Sequence, residues 1–595
     1  MSERHLAKMI HESARRFDNG VAMRYKESGV WHEISYRALG EKVLMTAKAL
    51  LELGVSEGDM IGIFSQNRPE WAVTDFGILS VKGVSVPIYA TNTAGQAEFI
   101  VRDATIKIIF VGDQAQYDKV KTFSGQHPYI EKIIAFDSNI HLEGDDSLHF
   151  SDFIELGQKS TRNDEVNARL ATARSDDIAT LIYTSGTTGD PKGVMLTHGN
   201  FLHQIDAVDA NFEVGPTDIS LCFLPLSHAY ERTWSFCVFK NGAQNSYLAN
   251  PKQVIEYMQE IRPTAMVSVP RLYEKIYSTV YDRLEKATPF KKKLFTWAIG
   301  VGKEYAYRRK DGKPVGPALK VAHIIADKLV LSKIRDIVGG PKNFFSAGGA
   351  ALSKEIEEFF FAAGLLVCEG YGLTETAPMI TYNCPSAFKF GTVGKPVPLC
   401  EVKIGEQGEI LARGPNLMKG YFNKPEETAE VFLSGWLRTG DVGYIDEEGF
   451  VKITDRIKDL IITSGGKNIA PQRIETMVGK DHYIEQINAV GDGKKYISAL
   501  IVPSFPAIEA YARENGIAFS SRQELVQNPQ IMELYRTRIE AQSADLAGYE
   551  KIKAFTLMPH EFSQEGGELT PTLKIKRKVV MEKYKDIIDA MYHDD

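Results

Sequence analysis

Long apolar runs are missing from this sequence. No stretch of about 18 uninterrupted apolar residues occurs, which excludes a membrane-crossing helix by pattern. Contact with a membrane surface is left open. Residues Met1 to Arg16 are polar and charged and lack the apolar centre of a secretion signal. Cysteine is scarce. Cys222, Cys237, Cys368, Cys384 and Cys400 show no Cys-x-x-Cys spacing, which argues against a disulfide frame or a zinc site. They read as reduced thiols of a cytoplasmic protein. There is no excess of positive charge: the net charge is −7 over 595 residues, which argues against a dedicated nucleic-acid binder. Internal repeats and long low-complexity tracts are absent too. The length instead predicts more than one core, with a loose expectation of about four folding units.

What is present is ordered alternation. Tyr36–Leu53 reads as an amphipathic helix, Met60–Phe64 as a strand, Glu70–Val81 as a helix and Gly83–Pro87 as a strand. That pattern predicts α/β layers around a parallel sheet. Further strands are expected at Leu221–Leu224, Ala265–Val269 and Leu365–Cys368, with helices at Arg271–Lys286 and at Lys354–Ala363, the latter capped by Ser353. Residues 287–340, rich in lysine, aromatics and helix formers, read as a helical insertion. From about 390 to 455 short strands between Gly, Pro and acidic turns predict a small β-rich subdomain, with a hairpin turn at Asp446–Gly449. Mixed α+β texture then runs to a final helix at Val579–Met591. The sharpest boundary falls at Asp455–Asp459, giving expected domains of 1–457 and 458–595.

The most informative stretch is Tyr183-Thr184-Ser185-Gly186-Thr187-Thr188-Gly189-Asp190-Pro191-Lys192-Gly193. Glycines let backbone approach a ligand, N–H groups and hydroxyls donate, and Lys192 adds charge, which suits a polyphosphate. An ordinary turn has the same composition. It is not a Walker loop, because Gly193 follows Lys192 where Ser or Thr and a helix are required. Tyr371-Gly372-Leu373-Thr374-Glu375-Thr376 follows an apolar strand. There Tyr371 can stack on a base, Thr374 can donate to an α-phosphate and Glu375 can hold Mg²⁺. Thr439-Gly440-Asp441 reads as a turn in the β-rich section, where a carboxylate can accept both hydroxyls of a ribose. Ser346-Ala347-Gly348-Gly349-Ala350 permits close approach to a flat ring, and serves equally as a tight strand–helix turn.

In order along roughly residues 5–590, these strings resemble the signatures of the adenylate-forming enzymes, closest to the long-chain acyl-CoA synthetases. The resemblance to that subgroup rests on Tyr89–Thr93 with Gln96-Ala97-Glu98, on Pro225–Arg232 with its Glu231-Arg232 pair, and on the insertion at 287–340. It implies a large domain of two α/β subdomains plus a β-barrel-like subdomain, and a small mobile α+β domain. It implies activation of a fatty acid by ATP and Mg²⁺ to an acyl-AMP, then transfer to coenzyme A. Thr184 and Glu375 would hold the metal. Gly348, Gly349 and Ala350 would line the adenine pocket, and Asp441 with Arg456 would hold the ribose. His228 would orient or gate, and Lys574 would serve adenylation, although Leu573 stands where the family has glycine and Lys576 lies close by. Lys458 would be the hinge, with Gly465, Gly466 and Lys467 forming a loop for the pantetheine arm. No nucleic acid and no obligate protein partner are implied; a homodimer is left open. Competing readings are a ligase that passes the acyl group to a carrier protein, an oxidative luciferase-type enzyme, and a non-catalytic lipid-binding scaffold. The insertion mixes Lys291, Lys292 and Lys293 with Phe290, Phe295 and Trp297, a composition that suits either an anionic membrane surface or a solvated basic face.

Overall fold

The computed structural model describes residues 4–184, 191–464, 467–570 and 574–592, without the side chain of Asn468. Strands Val84–Ile88 and Ile108–Val111 are buried along their whole length, as strands covered by helices on both faces are. They sit in an eight-stranded sheet ordered Gly420–Tyr421, Lys192–Thr197, Ile178–Thr184, Val84–Ile88, Met60–Phe64, Ile108–Val111, Lys132–Ala135, Ser147–His149. Its centre is parallel, and Ile178–Thr184 and Lys192–Thr197 form an antiparallel hairpin within it. Helix Pro69–Ser80 packs on it, opened by a proline whose missing N–H costs nothing there, and in turn carries helix Tyr36–Glu52, capped by Ser35.

A nine-stranded sheet runs Lys395–Pro396, Met379–Tyr382, Cys368–Gly372, Phe344–Ala347, Ala265–Ser268, Ile219–Cys222, Gln244–Tyr247, Val21–Glu27, Val30–Ser35. Its central strands are also parallel, so their C-terminal ends open on one edge, where ligands bind in such sheets. Residues 287–340 fold into helices Pro289–Lys310 and Pro317–Ala326, the latter continuing through a π-helical turn, Asp327–Leu331, into Ser332–Ile337. A five-stranded antiparallel sheet holds Glu401–Ile404, Glu409–Arg413, Trp436–Ile445, Phe432–Leu433 and Val451–Arg456. Beyond it lies a three-stranded sheet, Ile484–Val490, Ile497–Pro503 and Ile552–Leu557. One apolar core draws on residues from Leu6 to Val451 and a separate one on residues from Ile461 to Ile588. The chain is thus a large N-terminal domain and a smaller C-terminal one.

Four local expectations shift. The strand expected at Leu365–Cys368 is Cys368–Gly372, because the chain comes alongside Phe344–Ala347 only at the pair Ser346 and Cys368. Tyr371 and Gly372 therefore lie in a strand and not after one. A Cβ on Gly372 would stand 1.7 Å from the Pro378 carbonyl oxygen, so this strand requires glycine there. The turn expected at Thr439-Gly440-Asp441 is the middle of the long strand Trp436–Ile445, made irregular by Gly440 at φ +72° and by register shifts. The strand at Leu221–Leu224 is Ile219–Cys222, and the final helix breaks at Tyr584 into Arg577–Lys583 and Lys585–Ala590.

Candidate active site

A cleft of about 3830 Å³ lies at the strand ends and is walled by both domains. Thr184 ends its strand opposite Lys192, its register partner, and both line the cleft. Ser185, Gly186, Thr187, Thr188 and Gly189 lie outside the described residues. Lys192 Nζ sits 4.9 Å over the ring of Tyr421. The Tyr421 hydroxyl in turn donates to Glu375 Oε1 at 2.9 Å, and Met418 N donates to the Glu375 carbonyl at 2.8 Å. Tyr421 reaches this place because its short strand pairs with Val194. Nothing in its local sequence marks it, and sequence reasoning missed it. Thr374 and Glu375 occupy a single helical turn, Thr374–Thr376, right after Gly372.

The second group is centred on Asp441, which is buried. Tyr371 donates its hydroxyl to Asp441 Oδ2 at 2.6 Å, and Arg456 Nε donates to Oδ1 at 2.8 Å. Asp441 and Arg456 are cross-strand partners, so the pair is fixed by register. Burial, then the neighbouring Asp441 charge, raises the Tyr371 phenol well above its ordinary range and keeps it a donor. Glu409, also missed from sequence, accepts from Gly440 N at 3.1 Å and Arg438 Nε at 3.0 Å, which holds the irregular strand in shape.

Gly348, Gly349 and Ala350 line the cleft beyond the strand Phe344–Ala347. A Cβ on Gly348 would press the Tyr230 ring at 3.1 Å, and Gly349 takes φ +85° in open space. Tyr230, hydrogen-bonded to Ser346 Oγ at 2.7 Å, is a further wall residue. Below the turn, Glu369 accepts from Leu352 N at 3.1 Å, and burial pushes its carboxyl well above the usual carboxylate range.

His228 caps the helix Ala229–Lys240, its Nδ1 accepting from Tyr230 N at 3.2 Å. Burial, with a smaller contribution from Lys574, lowers it to about 4, so the imidazole is neutral at physiological pH. Lys574 enters from the C-terminal domain. Its backbone N–H donates to Thr570 Oγ1 at 3.0 Å, and the flanking residues Leu569 and Ile575 form a β-bridge. Water reaches Lys574 through the open cleft, yet the surrounding protein, and then the charge of Arg456, lower its amine to about 8. Lys576 also lines the cleft. Lys458 does so from a turn after Arg456. Lys467 is apart from this group: its Nζ lies 5.7 Å over the Tyr549 ring, and it does not line the cleft. Gly465 and Gly466 lie outside the described residues. Arg232 is committed to the core, donating to Asp75 Oδ2 at 3.0 Å and to Thr180 Oγ1 at 2.7 Å.

The chain matches the family model of the AMP-binding enzymes over residues 10–422 and that of the AMP-binding enzyme C-terminal domain over 458–595. It is 35% identical to the long-chain-fatty-acid–CoA ligase FadD15 of Mycobacterium tuberculosis, over 99% of this chain and 97% of that protein. It is 32% identical to the peroxisomal long chain acyl-CoA synthetase 7 of Arabidopsis thaliana, over 96% and 84%. Two solved structures share the fold. One is the adenylation domain of a carboxylate reductase from Mycobacterium chelonae, with TM-score 0.77, 21% identity and coverage of 99% and 91%. The other is the anthranilate CoA ligase AuaEII with anthranoyl-AMP, with TM-score 0.73, 18% identity and 99% of both chains. This chain belongs to the AMP-binding enzyme family, and relatives that match it over nearly its whole length are long-chain-fatty-acid–CoA ligases.

Proposed function

We propose that this protein activates long-chain fatty acids with ATP and transfers them to coenzyme A. The observation that carries the reading is the delivery of Lys574, from the C-terminal domain, into the cleft that His228, Asp441 and Arg456 also line. ATP lies along the cleft with its ribose on Asp441 and Arg456, its base against Tyr371 and the Gly348–Ala350 turn, and its phosphates toward Thr184–Lys192. The fatty carboxylate attacks the α-phosphorus, pyrophosphate leaves and acyl-AMP forms. Lys574 stabilises charge on the reacting oxygens, an interaction that strengthens once bound substrates displace water from the cleft. His228 stays neutral and orients the substrate; a carboxylate needs no base near neutral pH. Glu375 and Thr184 supply oxygen donors that suit Mg²⁺, which would neutralise phosphate charge, and Tyr421 holds the Glu375 carboxylate in place.

The second half-reaction needs a different surface. The chain divides at 457/458, and the C-terminal domain turns about Lys458, withdrawing Lys574. The loop of Gly465, Gly466 and Lys467 then meets the pantetheine arm, and the CoA thiol attacks the acyl carbonyl with loss of AMP. The place of Lys467, away from the cleft while Lys574 is in it, supports such alternation. The compact segment from Gly440 to Lys458 leaves no block on that rotation and disfavours a carrier-loading ligase. The protein works in the cytoplasm on three small substrates.

The test is formation of AMP, pyrophosphate and acyl-CoA from ATP, CoA and fatty acids of graded length, with an aryl acid as control. Thioester formation peaking at long chains is the expected result. Acyl-AMP accumulating without thioester would replace it with the carrier-loading reading.

A further inference from the structure

The helices of residues 287–340 carry a surface that the reaction does not use. This segment holds twelve Lys and Arg against four Asp and Glu, a net charge of +8 in a chain whose total is −7. Its inner side is well packed. Gly302 meets the helix Lys354–Ala362 so closely that a Cβ would stand 2.3 Å from the Ala362 carbonyl oxygen, and His323 stacks on Tyr305 at 3.8 Å. Its outer side is different. On the helix Pro317–Ala326 and the turn that continues it, Val321, Ile324, Ile325 and Leu329 follow helical spacing and are 57%, 66%, 46% and 42% exposed. On Pro289–Lys310, Phe290 and Trp297, seven residues apart on one face, are also exposed.

Charge surrounds these apolar side chains. Some basic groups pair within the protein, as Lys303 does with Glu358 at 2.7 Å and Arg335 with Asp327 at 2.7 Å. Lys291, Lys292, Lys293, Lys320 and Lys328 are exposed and form no ion pair among the described residues. Aliphatic groups this exposed are disfavoured in water, and the lysine stems near them, which can lie along apolar surface, leave them uncovered here. A nucleic acid would meet the charge and leave the aliphatic residues without a partner. A bilayer with anionic headgroups meets both at once: apolar side chains enter the acyl boundary and ammonium groups stay at the phosphates. Neither helix is long and apolar enough to cross.

We propose that this outer face is a docking surface for an anionic lipid bilayer, on which the protein lies peripherally. The inner side of the same helices, through Phe295 and Ile299, packs on the apolar cluster whose Phe223, Leu224 and Leu272 also line the cleft. Docking therefore places a cleft wall next to the phase into which fatty acids partition, a consequence that rests on the proposed activity. The surface itself does not.

The test is flotation of the full chain with vesicles of phosphatidylglycerol and phosphatidylcholine in equal parts, against phosphatidylcholine alone. Binding to the anionic vesicles that weakens with salt is expected. Ile324→Glu with Ile325→Glu, and separately Lys291→Glu with Lys292→Glu and Lys293→Glu, should each lower the partition coefficient by about tenfold or more. Both variants should keep the thermal midpoint and keep acyl-CoA formation from monomeric medium-chain acid. Absence of vesicle binding, or equal binding by all variants, overturns the proposal. So does self-association in sedimentation that Ile324→Glu abolishes while vesicles remain unbound. Vesicle binding without acyl-CoA formation would leave the surface standing and remove the proposed activity.

Discussion

Tyr371 and Arg456 grip opposite oxygens of one buried carboxylate, Asp441, at 2.6 and 2.8 Å. The three residues come from two sheets, so the carboxylate is aimed before any ligand arrives. Preorganisation of this kind reduces the ordering cost of binding.

Tyr371→Phe removes one donor and leaves Asp441 Oδ2 less satisfied. Loss of a hydrogen bond to a charged group costs about 1.5–3 kcal/mol. ATP binding measured by calorimetry should weaken by roughly tenfold or more, with fatty-acid KM little changed. Unchanged ATP affinity would remove Tyr371 from the nucleotide site.

Lys574→Ala should slow adenylation, read as pyrophosphate release, by about a hundredfold or more, and leave thioester formation from supplied acyl-AMP near wild type. Lys576→Ala should affect both weakly. Equal loss in the two half-reactions would sink the assignment of Lys574.

The pH dependence follows from the same group. With its amine lowered to about 8, Lys574 is charged below that value and neutral above it. Adenylation kcat/KM, which reports the free enzyme, should therefore fall as pH rises through about 8. Lys574→Arg, which stays charged, should lose that limb at a lower plateau rate. His228, at about 4, contributes no change near neutrality.

Ion pairs hold the C-terminal domain in the pose that presents Lys574. Lys480 meets Glu355 at 2.7 Å, Arg271 meets Glu485 at 3.0 Å and Lys286 meets Glu514 at 3.0 Å. All are at least partly exposed, so each contributes about 0–1 kcal/mol and is screened by salt. Glu355→Lys should slow adenylation a few-fold without slowing thioester formation, and pairing it with Lys480→Glu should restore the rate. Failure of the double swap would show that these contacts do not set the domain balance.

Two glycines of the site should differ sharply. Gly372→Ala drives a Cβ into the backbone of Pro378 and should cost roughly 3 kcal/mol or more, read as a lowered unfolding midpoint. Gly349→Ala meets open space and suffers only its positive φ, about 1 kcal/mol. Similar midpoints for the two would contradict the packing at Gly372.

The elements that were legible share a property. Met60–Phe64 has the same bounds in sequence and structure, and Ser353 caps its helix, accepting from Ile356 N, as its position before Lys354 implies. In both cases the signal is local: side-chain periodicity, or one hydroxyl reaching the backbone three residues on. The strand containing Asp441 was read as a turn for the complementary reason. Glycine and polar residues look like a turn until a partner strand supplies the ladder, and the pairing with Arg456 lies fifteen residues away.

By itself the sequence determined which chemistry-bearing residues exist and in what order: the hydroxyl and glycine string before Lys192, the Tyr371–Glu375 string, Asp441 and the terminal lysines. Side-chain type sets which ligands a residue can hold, and that information is local. Tertiary structure alone decided which of these residues meet. It set Tyr421 between Lys192 and Glu375, drew Arg232 into the core with Asp75, and brought Lys574 across from the second domain into the cleft that Asp441 lines. Those relations depend on strand register and on packing between two separate cores, which residues distant in the chain settle only once the apolar surface is buried.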